Sequence, residues 1–215
     1  MLTSAVLTSA VLISAVLVSA VLVSAVLISA VLISAVLISA VLISAVQRRS
    51  FPPMSHHDLP ITPAVRALRA ANVAFDGHLY DYEEKGGTGA SARKLGVDEH
   101  QVIKTLIMED DAKAPMIVLM HGDKMVSTKE LARQLGRRSV APCAPEVAAR
   151  HTGYLVGGTS PFGTKRSMPV FAEASVLTTE TIYINGGKRG FLVSLKTADL
   201  VRLLSPVAVS VALTK

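Results

Sequence analysis

Residues 1–46 repeat a five-residue unit, Ser-Ala-Val-Leu-Xaa with Xaa as Thr, Ile or Val, and carry no charge, histidine, glycine or proline. Five helical residues turn the chain about 500°, a net step of about 140°, so serines from Ser4 to Ser44 spread around a helix. In a strand the odd period puts them on alternating faces. Neither geometry gives a segment with one polar and one apolar side that could dock on a soluble core. As one helix the repeat would run about 69 Å against a hydrocarbon core of roughly 30 Å, with no break to mark two spans. A secretory signal fits poorly, because the start lacks positive charge and the apolar stretch is too long. Three readings remain: a membrane anchor with Arg48 and Arg49 on the cytoplasmic side, a low-complexity β-prone extension, or a misplaced start with the true one at Met54. The last is preferred, because so strict a repeat matches no folded design.

All ionisable chemistry follows Gln47, so the net charge of +6 belongs to the C-terminal part. A basic surface suits a polyanionic partner such as RNA. The single cysteine, Cys143, cannot form an internal disulfide and gives no sign of an oxidising compartment, which fits a cytoplasmic protein. Its neighbours, Ala141-Pro142 and Ala144-Pro145, include no base to activate it. Residues 47–61 read as a linker rich in proline, and His56-His57 within it lacks a third ligand nearby. The domain proper is expected over 62–215.

Thr62-Pro63 reads as a helix start, followed by Val65, Leu68 and Ala71 at helical spacing. Residues 73–82 read as extended, and 85–89 as a glycine-rich loop leading to a helix that ends near Leu95-Gly96. Residues 101–108 and 115–120 read as strands. Ser127-Thr128-Lys129-Glu130 matches a capping box, with Glu130 reaching back, and Gly136 stops that helix. Pro145 starts another helix, and a long loop spans 152–163. Strands at 181–185 and 191–195 joined by the glycine-rich 186–190 form a hairpin signal. Thr197 is expected to cap a last helix, and the tail from Pro206 is left open. Strands and helices mix without strict βαβ alternation, which points to an α+β domain with a mixed, mainly antiparallel sheet.

Three segments carry candidate chemistry. Lys104 stands in an apolar strand, Ile103-Lys104-Thr105-Leu106, where a cation can hold an anion. Gly157-Gly158 in Gly-Tyr-Leu-Val-Gly-Gly-Thr-Ser-Pro allows close backbone approach, with N–H groups suited to a carbonyl or phosphate oxygen. Asn185-Gly186-Gly187-Lys188-Arg189-Gly190 adds backbone donors and two cations suited to RNA phosphates. There is no G-x-S-x-G elbow and no H-E-x-x-H, and His78, His100, His121 and His151 stand singly. An enzyme built this way acts by positioning and backbone electrostatics.

Together with Thr62-Pro63-Ala64 and His78-Leu79-Tyr80, these segments resemble, in order and spacing, the YbaK/EbsC family of bacterial Cys-tRNA(Pro) deacylases, related to the editing insertion of prolyl-tRNA synthetase. The resemblance covers 62 to about 204. It implies a partly open, barrel-like sheet with flanking helices and a substrate of cysteine esterified to tRNA(Pro). It also implies a lyase-like reaction in which the substrate thiol attacks its own carbonyl, without metal, cofactor or enzyme nucleophile. It assigns Lys104, Gly157 and Gly158 as catalytic, and Tyr80, Thr105, Thr159, Ser160, Asn185, Gly186, Gly187, Lys188 and Arg189 as substrate-binding. The implied partners are aminoacylated tRNA and prolyl-tRNA synthetase, with a membrane only if 1–46 is translated and inserted. Asn185 departs from the family's usual Ser, and the loop at 85–89 lacks the usual aromatic, which implies a more open pocket floor. The alternatives are water-dependent hydrolysis of another small aminoacyl-tRNA such as Ala-tRNA(Pro), or a non-catalytic tRNA- or membrane-associated module.

Overall fold

Thr62 starts the first helix as its side chain requires. Its backbone is extended, and its Oγ1 accepts from the Val65 N–H at 3.0 Å. Helix α1 (Pro63–Ala70) then buries Ala64, Val65 and Leu68 completely. Burying the Leu68 side chain alone contributes about 2 kcal/mol before entropy is counted. The computed structural model describes residues 59–214, so the expectations for the repeat and for most of the linker lie outside the described residues.

Beyond α1 the chain runs through β1 (Phe75–Leu79), α2 (Gly87–Leu95), β2 (Val102–Asp110), β3 (Pro115–His121), β4 (Lys124–Val126) and α3 (Thr128–Gln134). It continues through β5 (Val140–Pro142), α4 (Pro145–Thr152), β6 (Val170–Glu173), β7 (Thr181–Lys188), β8 (Phe191–Lys196), α5 (Thr197–Leu204), β9 (Val207–Val209) and β10 (Ala212–Thr214). The main sheet has the order β1-β8-β7-β2-β3-β6-β9, with β5 added to β2, and β4 pairs β10 in a separate ribbon. β1 and β9 do not pair with each other, so the sheet stays open. Its β1/β8, β7/β8, β2/β3 and β2/β5 pairs are antiparallel, and its β2/β7, β3/β6 and β6/β9 pairs are parallel. The α+β expectation with a mixed, mainly antiparallel, open sheet is met.

Every residue of β3 is buried. Strand alternation sends Ile117 and Leu119 into the main core with α1, while Met116, Val118 and Met120 face a second core with Leu131 of α3. A strand covered on both faces is apolar throughout, which is how β3 reads in sequence.

Several local expectations are corrected. Ser127 caps α3 by accepting from the Glu130 N–H at 3.2 Å, but the box is only half formed. The Glu130 carboxylate turns to Arg133 and Gln134, and the Ser127 N–H donates to the Val211 carbonyl. Lys196, not Thr197, is the N-cap of α5; Thr197 is its first residue, with its hydroxyl buried and unpartnered. β7 continues past Asn185 to Lys188 through a register shift, so the hairpin tip is Arg189-Gly190 rather than 186–190. The tail forms β9 and β10, and β4, β5 and β6 were not foreseen.

His100 and His121 do not stand singly. Their rings stack with centroids 3.6 Å apart. His121 is fully buried; its Nδ1 donates to the His100 carbonyl at 2.6 Å, so Nε2 accepts from the Ser175 hydroxyl at 2.9 Å. Burial, with the His100 ring beside it, lowers its pKa below the ordinary 6.5, against the opposing pull of its bond to the His100 carbonyl and of Asp123 and Glu173. A histidine held neutral in the folded state favours folding above its unfolded pKa and opposes it below. Stability is therefore expected to level off above about pH 6.5 and to fall as pH drops through 6 to 5. Urea unfolding across pH 5–8 checks this, and His121→Phe should flatten the slope.

Candidate active site

β2 pairs with β7 only at Val102 and Ile103, and with β5 only from Met108 onward, both on the edge opposite β3. Between these pairings no strand covers Lys104, Thr105 and Leu106 on that edge. The gap opens into a cleft of about 460 Å³, lined by every residue of β2 from Val102 to Met108. Successive strand residues point to opposite faces, so an unbroken run of seven marks a cleft that follows the strand's edge. Its other walls come from the β1–α2 connection, α2, the end of β5 with Cys143 after it, Ala148 of α4, the loop after α4, Asn185 of β7 and Leu192 of β8.

The structure brings Tyr80, Lys104, Thr105, Gly157, Thr159 and Asn185 together on the cleft wall. Lys104 and Thr105 nevertheless belong to opposite faces of β2. The Lys104 ammonium donates to the Lys124 carbonyl at the start of β4. The Thr105 hydroxyl is buried with no hydrogen-bond partner. An unsatisfied buried hydroxyl costs about 1–3 kcal/mol. Tyr80 lies half-buried at the mouth, and burial raises its pKa, so it stays protonated.

Other candidates make their contacts within the protein or lie outside the cleft wall. The Gly158 N–H is already given to the Leu155 carbonyl at 2.9 Å, which leaves Gly157 as the loop's candidate donor. Ser160 is fully buried, and its Oγ accepts from the Phe162 N–H at 3.4 Å. The Gly186 carbonyl accepts from the Thr62 hydroxyl at 2.6 Å, and a Cβ there would sit 2.4 Å from the Phe191 ring. Gly187 (φ +93) fits beneath Tyr154 and Thr62. These two glycines let β7 pass close to the start of α1. Lys188 and Arg189 are exposed outside the cleft wall, but Arg189 is engaged: its Nε donates to the Val156 carbonyl at 2.8 Å.

The wall also holds residues that were not among the expected site residues, Tyr82, Thr88 and Cys143 among them. Tyr82 carries the Arg189 guanidinium over its ring at 5.4 Å, and its sequence signal was the Tyr80-Asp81-Tyr82 alternation. Thr88 of α2 donates to Glu99 at 2.8 Å. Cys143 lines the cleft, and burial with the Glu109 carboxylate nearby pushes its thiol pKa up, away from a reactive thiolate. The lining residues include no histidine and no aspartate, and the one carboxylate among them is Glu83, exposed at the mouth.

A profile of the aminoacyl-tRNA editing domain matches residues 83–203, more than half the chain. The chain belongs to the aminoacyl-tRNA editing domain family. The deacylase activity of that family, on aminoacylated tRNA, is therefore the activity of this domain. EbsC of Enterococcus faecalis, described as a candidate Cys-tRNA(Pro)/Cys-tRNA(Cys) deacylase, is 25% identical over 143 residues, 66% of this chain and 87% of that protein. A proline–tRNA ligase of Thermodesulfovibrio yellowstonii is 34% identical over 95 residues, which are 44% of this chain but 16% of the ligase. The solved structure of a candidate trans-editing enzyme for prolyl-tRNA synthetase shares the fold, with a TM-score of 0.60 at 18% identity over 71% of this chain and 98% of that one. Among the described residues no helix is long and apolar enough to cross a membrane.

Proposed function

We propose that this editing domain removes cysteine wrongly esterified to tRNA(Pro), in the cytoplasm and beside prolyl-tRNA synthetase. The carrying observation is a cleft along the unpaired edge of β2 and a glycine loop, whose lining holds no histidine or aspartate and a single carboxylate, Glu83, exposed at its mouth. Such a wall suits a substrate that brings its own nucleophile. The cysteinyl thiol attacks its ester carbonyl: an S–C bond forms, the ester C–O bond breaks, and the thiol proton passes to the departing ribose oxygen. The product is a four-membered thiolactone, which water opens later. The domain's part is to hold the reacting ends together and stabilise the developing oxyanion. In this reading the Gly157 N–H faces that oxyanion, and Thr105 forms part of the wall beside the aminoacyl group. Lys104 exchanges the neutral Lys124 carbonyl for an oxygen of the terminal phosphate, a stronger charge-assisted partner. Similarity to EbsC supports cysteine as the amino acid.

The test compares Cys-tRNA(Pro), S-methyl-cysteinyl-tRNA(Pro) and Ala-tRNA(Pro), with Cys143→Ser alongside. Deacylation of the first alone, unchanged in Cys143→Ser, is the expected result. Release from the S-methyl or alanyl substrate would favour attack by water. A wild-type protein inert on all three would sink the deacylation of tRNA(Pro) altogether.

A further inference from the structure

The loop after α4 makes a four-residue turn at the cleft, residues 155–158. The Gly158 N–H donates to the Leu155 carbonyl at 2.9 Å, and Gly157, third in the turn, has φ +86. That combination is the geometry of a type II turn, which requires a positive φ at its third residue. In such a turn the middle peptide, Val156–Gly157, stands across the plane of the turn. All its peptides are trans, so the carbonyl and N–H of that unit point in opposite directions. The two ends of this peptide cannot be oriented separately: whatever holds the Val156 oxygen also aims the Gly157 N–H.

Arg189 holds that oxygen. Its Nε donates to the Val156 carbonyl at 2.8 Å, and its guanidinium is steadied over the Tyr82 ring at 5.4 Å. Asn185 anchors the next carbonyl, donating from Nδ2 to Gly157 at 3.0 Å, while its Oδ1 accepts from the Gly187 N–H at 2.8 Å. Val156 and Gly157 are walls of the cleft and Arg189 is not. The bonded carbonyl therefore faces the hairpin tip, and the Gly157 N–H is turned to the other side.

We propose that Arg189 is a positioning residue for deacylation: it holds the Val156 carbonyl and so keeps the Gly157 N–H aimed at the ester oxygen of the substrate. This rests on the deacylase reading above. It replaces the role that the charge of Arg189 first suggests, a phosphate contact at an exposed hairpin tip. Without Arg189 the Val156–Gly157 peptide can flip, converting the turn to type I and swinging the N–H through about 180°. Glycine at 157 tolerates either state, so only the tether selects one.

The experiment measures steady-state deacylation of Cys-tRNA(Pro) by wild type, Arg189→Lys and Arg189→Gln. Amide ¹H–¹⁵N spectra and hydrogen exchange are recorded on the same proteins. Arg189→Lys keeps the charge but loses the planar Nε that stacks and donates at once. Both variants should lose kcat by about 10- to 100-fold, within the range for a misplaced oxyanion donor, with KM for the tRNA unchanged within about twofold. The Gly157 amide should shift and change its exchange rate, while the Gly158 amide, bonded to the Leu155 carbonyl in either turn type, should keep its protection. A raised KM at unchanged kcat in Arg189→Gln, with wild-type behaviour in Arg189→Lys, would overturn the proposal in favour of a phosphate contact. An unmoved Gly157 amide would overturn it whatever the kinetics. If wild type is inactive on Cys-tRNA(Pro), the catalytic part falls with the deacylase reading, and the amide data alone decide the positioning.

Discussion

Gly163→Ala is expected to destabilise the domain by about 3 kcal/mol, lowering the thermal midpoint by roughly 10 °C. Gly163 closes the loop that lines the cleft, with φ +62, and a Cβ there would sit 2.5 Å from the Pro63 carbonyl oxygen and 2.7 Å from its carbon. The obstacle is backbone at the first turn of α1, so no side-chain rotation relieves it. That turn is pinned as well: Thr62 bonds both Val65 and Gly186, and Tyr154 donates to the Phe162 carbonyl at 2.7 Å beside it. Gly96 supplies the control. It has nearly the same φ, +65, with nothing within 4 Å, so Gly96→Ala should cost only about 1 kcal/mol from backbone strain. Differential scanning calorimetry of the two variants measures the contrast. Equal midpoints would mean that α1 yields to the added methyl.

Gly157→Ala should leave the fold nearly intact and reduce deacylation by about 100-fold or more. A Cβ at this position would meet the Tyr82 hydroxyl at 2.8 Å, an exposed side chain that can swing aside, so the steric cost is small. The φ of +86 is the difficulty, because it costs an alanine about 1–2 kcal/mol. The turn escapes that strain by flipping the Val156–Gly157 peptide, which turns the N–H away from the cleft. Stability recovers and the donor is lost. Single-turnover rates beside circular dichroism check this; a normal rate in a folded Gly157→Ala would remove the Gly157 N–H from the chemistry.

Much of the fold was legible because its signals are local. Thr62-Pro63 must start a helix, since the threonine oxygen satisfies an orphan N–H and the proline needs none. Gly96 and Gly136 mark stops because only glycine enters the left-handed region cheaply. The half-formed capping box shows the limit of such reading. Ser127 caps as expected, but Glu130 prefers the Arg133 guanidinium, and the Ser127 N–H finds the Val211 carbonyl in the β9–β10 connection far along the chain. Short strands such as β4, β5 and β10 escaped notice because three residues carry too little periodicity to register.

The candidate site divides along the same line. Gly157, Thr105 and Asn185 could be picked out by type, because backbone exposure, a hydroxyl beside a cation and a turn amide are written in residue identity. Their neighbours Ser160, Gly186 and Gly187 read the same way in sequence, yet their bonds and packing lie within the protein, since only packing decides which atoms another element covers.

What the sequence alone determined is where helices start and stop, that strands and helices mix in an α+β domain, and that a basic domain without a catalytic triad lies downstream of an apolar repeat. Each of these follows from forces acting within a few residues. Only the tertiary structure decided where β2 parts from β7 to open the cleft, and that Arg189 and Asn185 grip the Val156–Gly157 peptide. Those depend on register between strands some eighty residues apart and on hydrogen bonds whose partners no local pattern can specify.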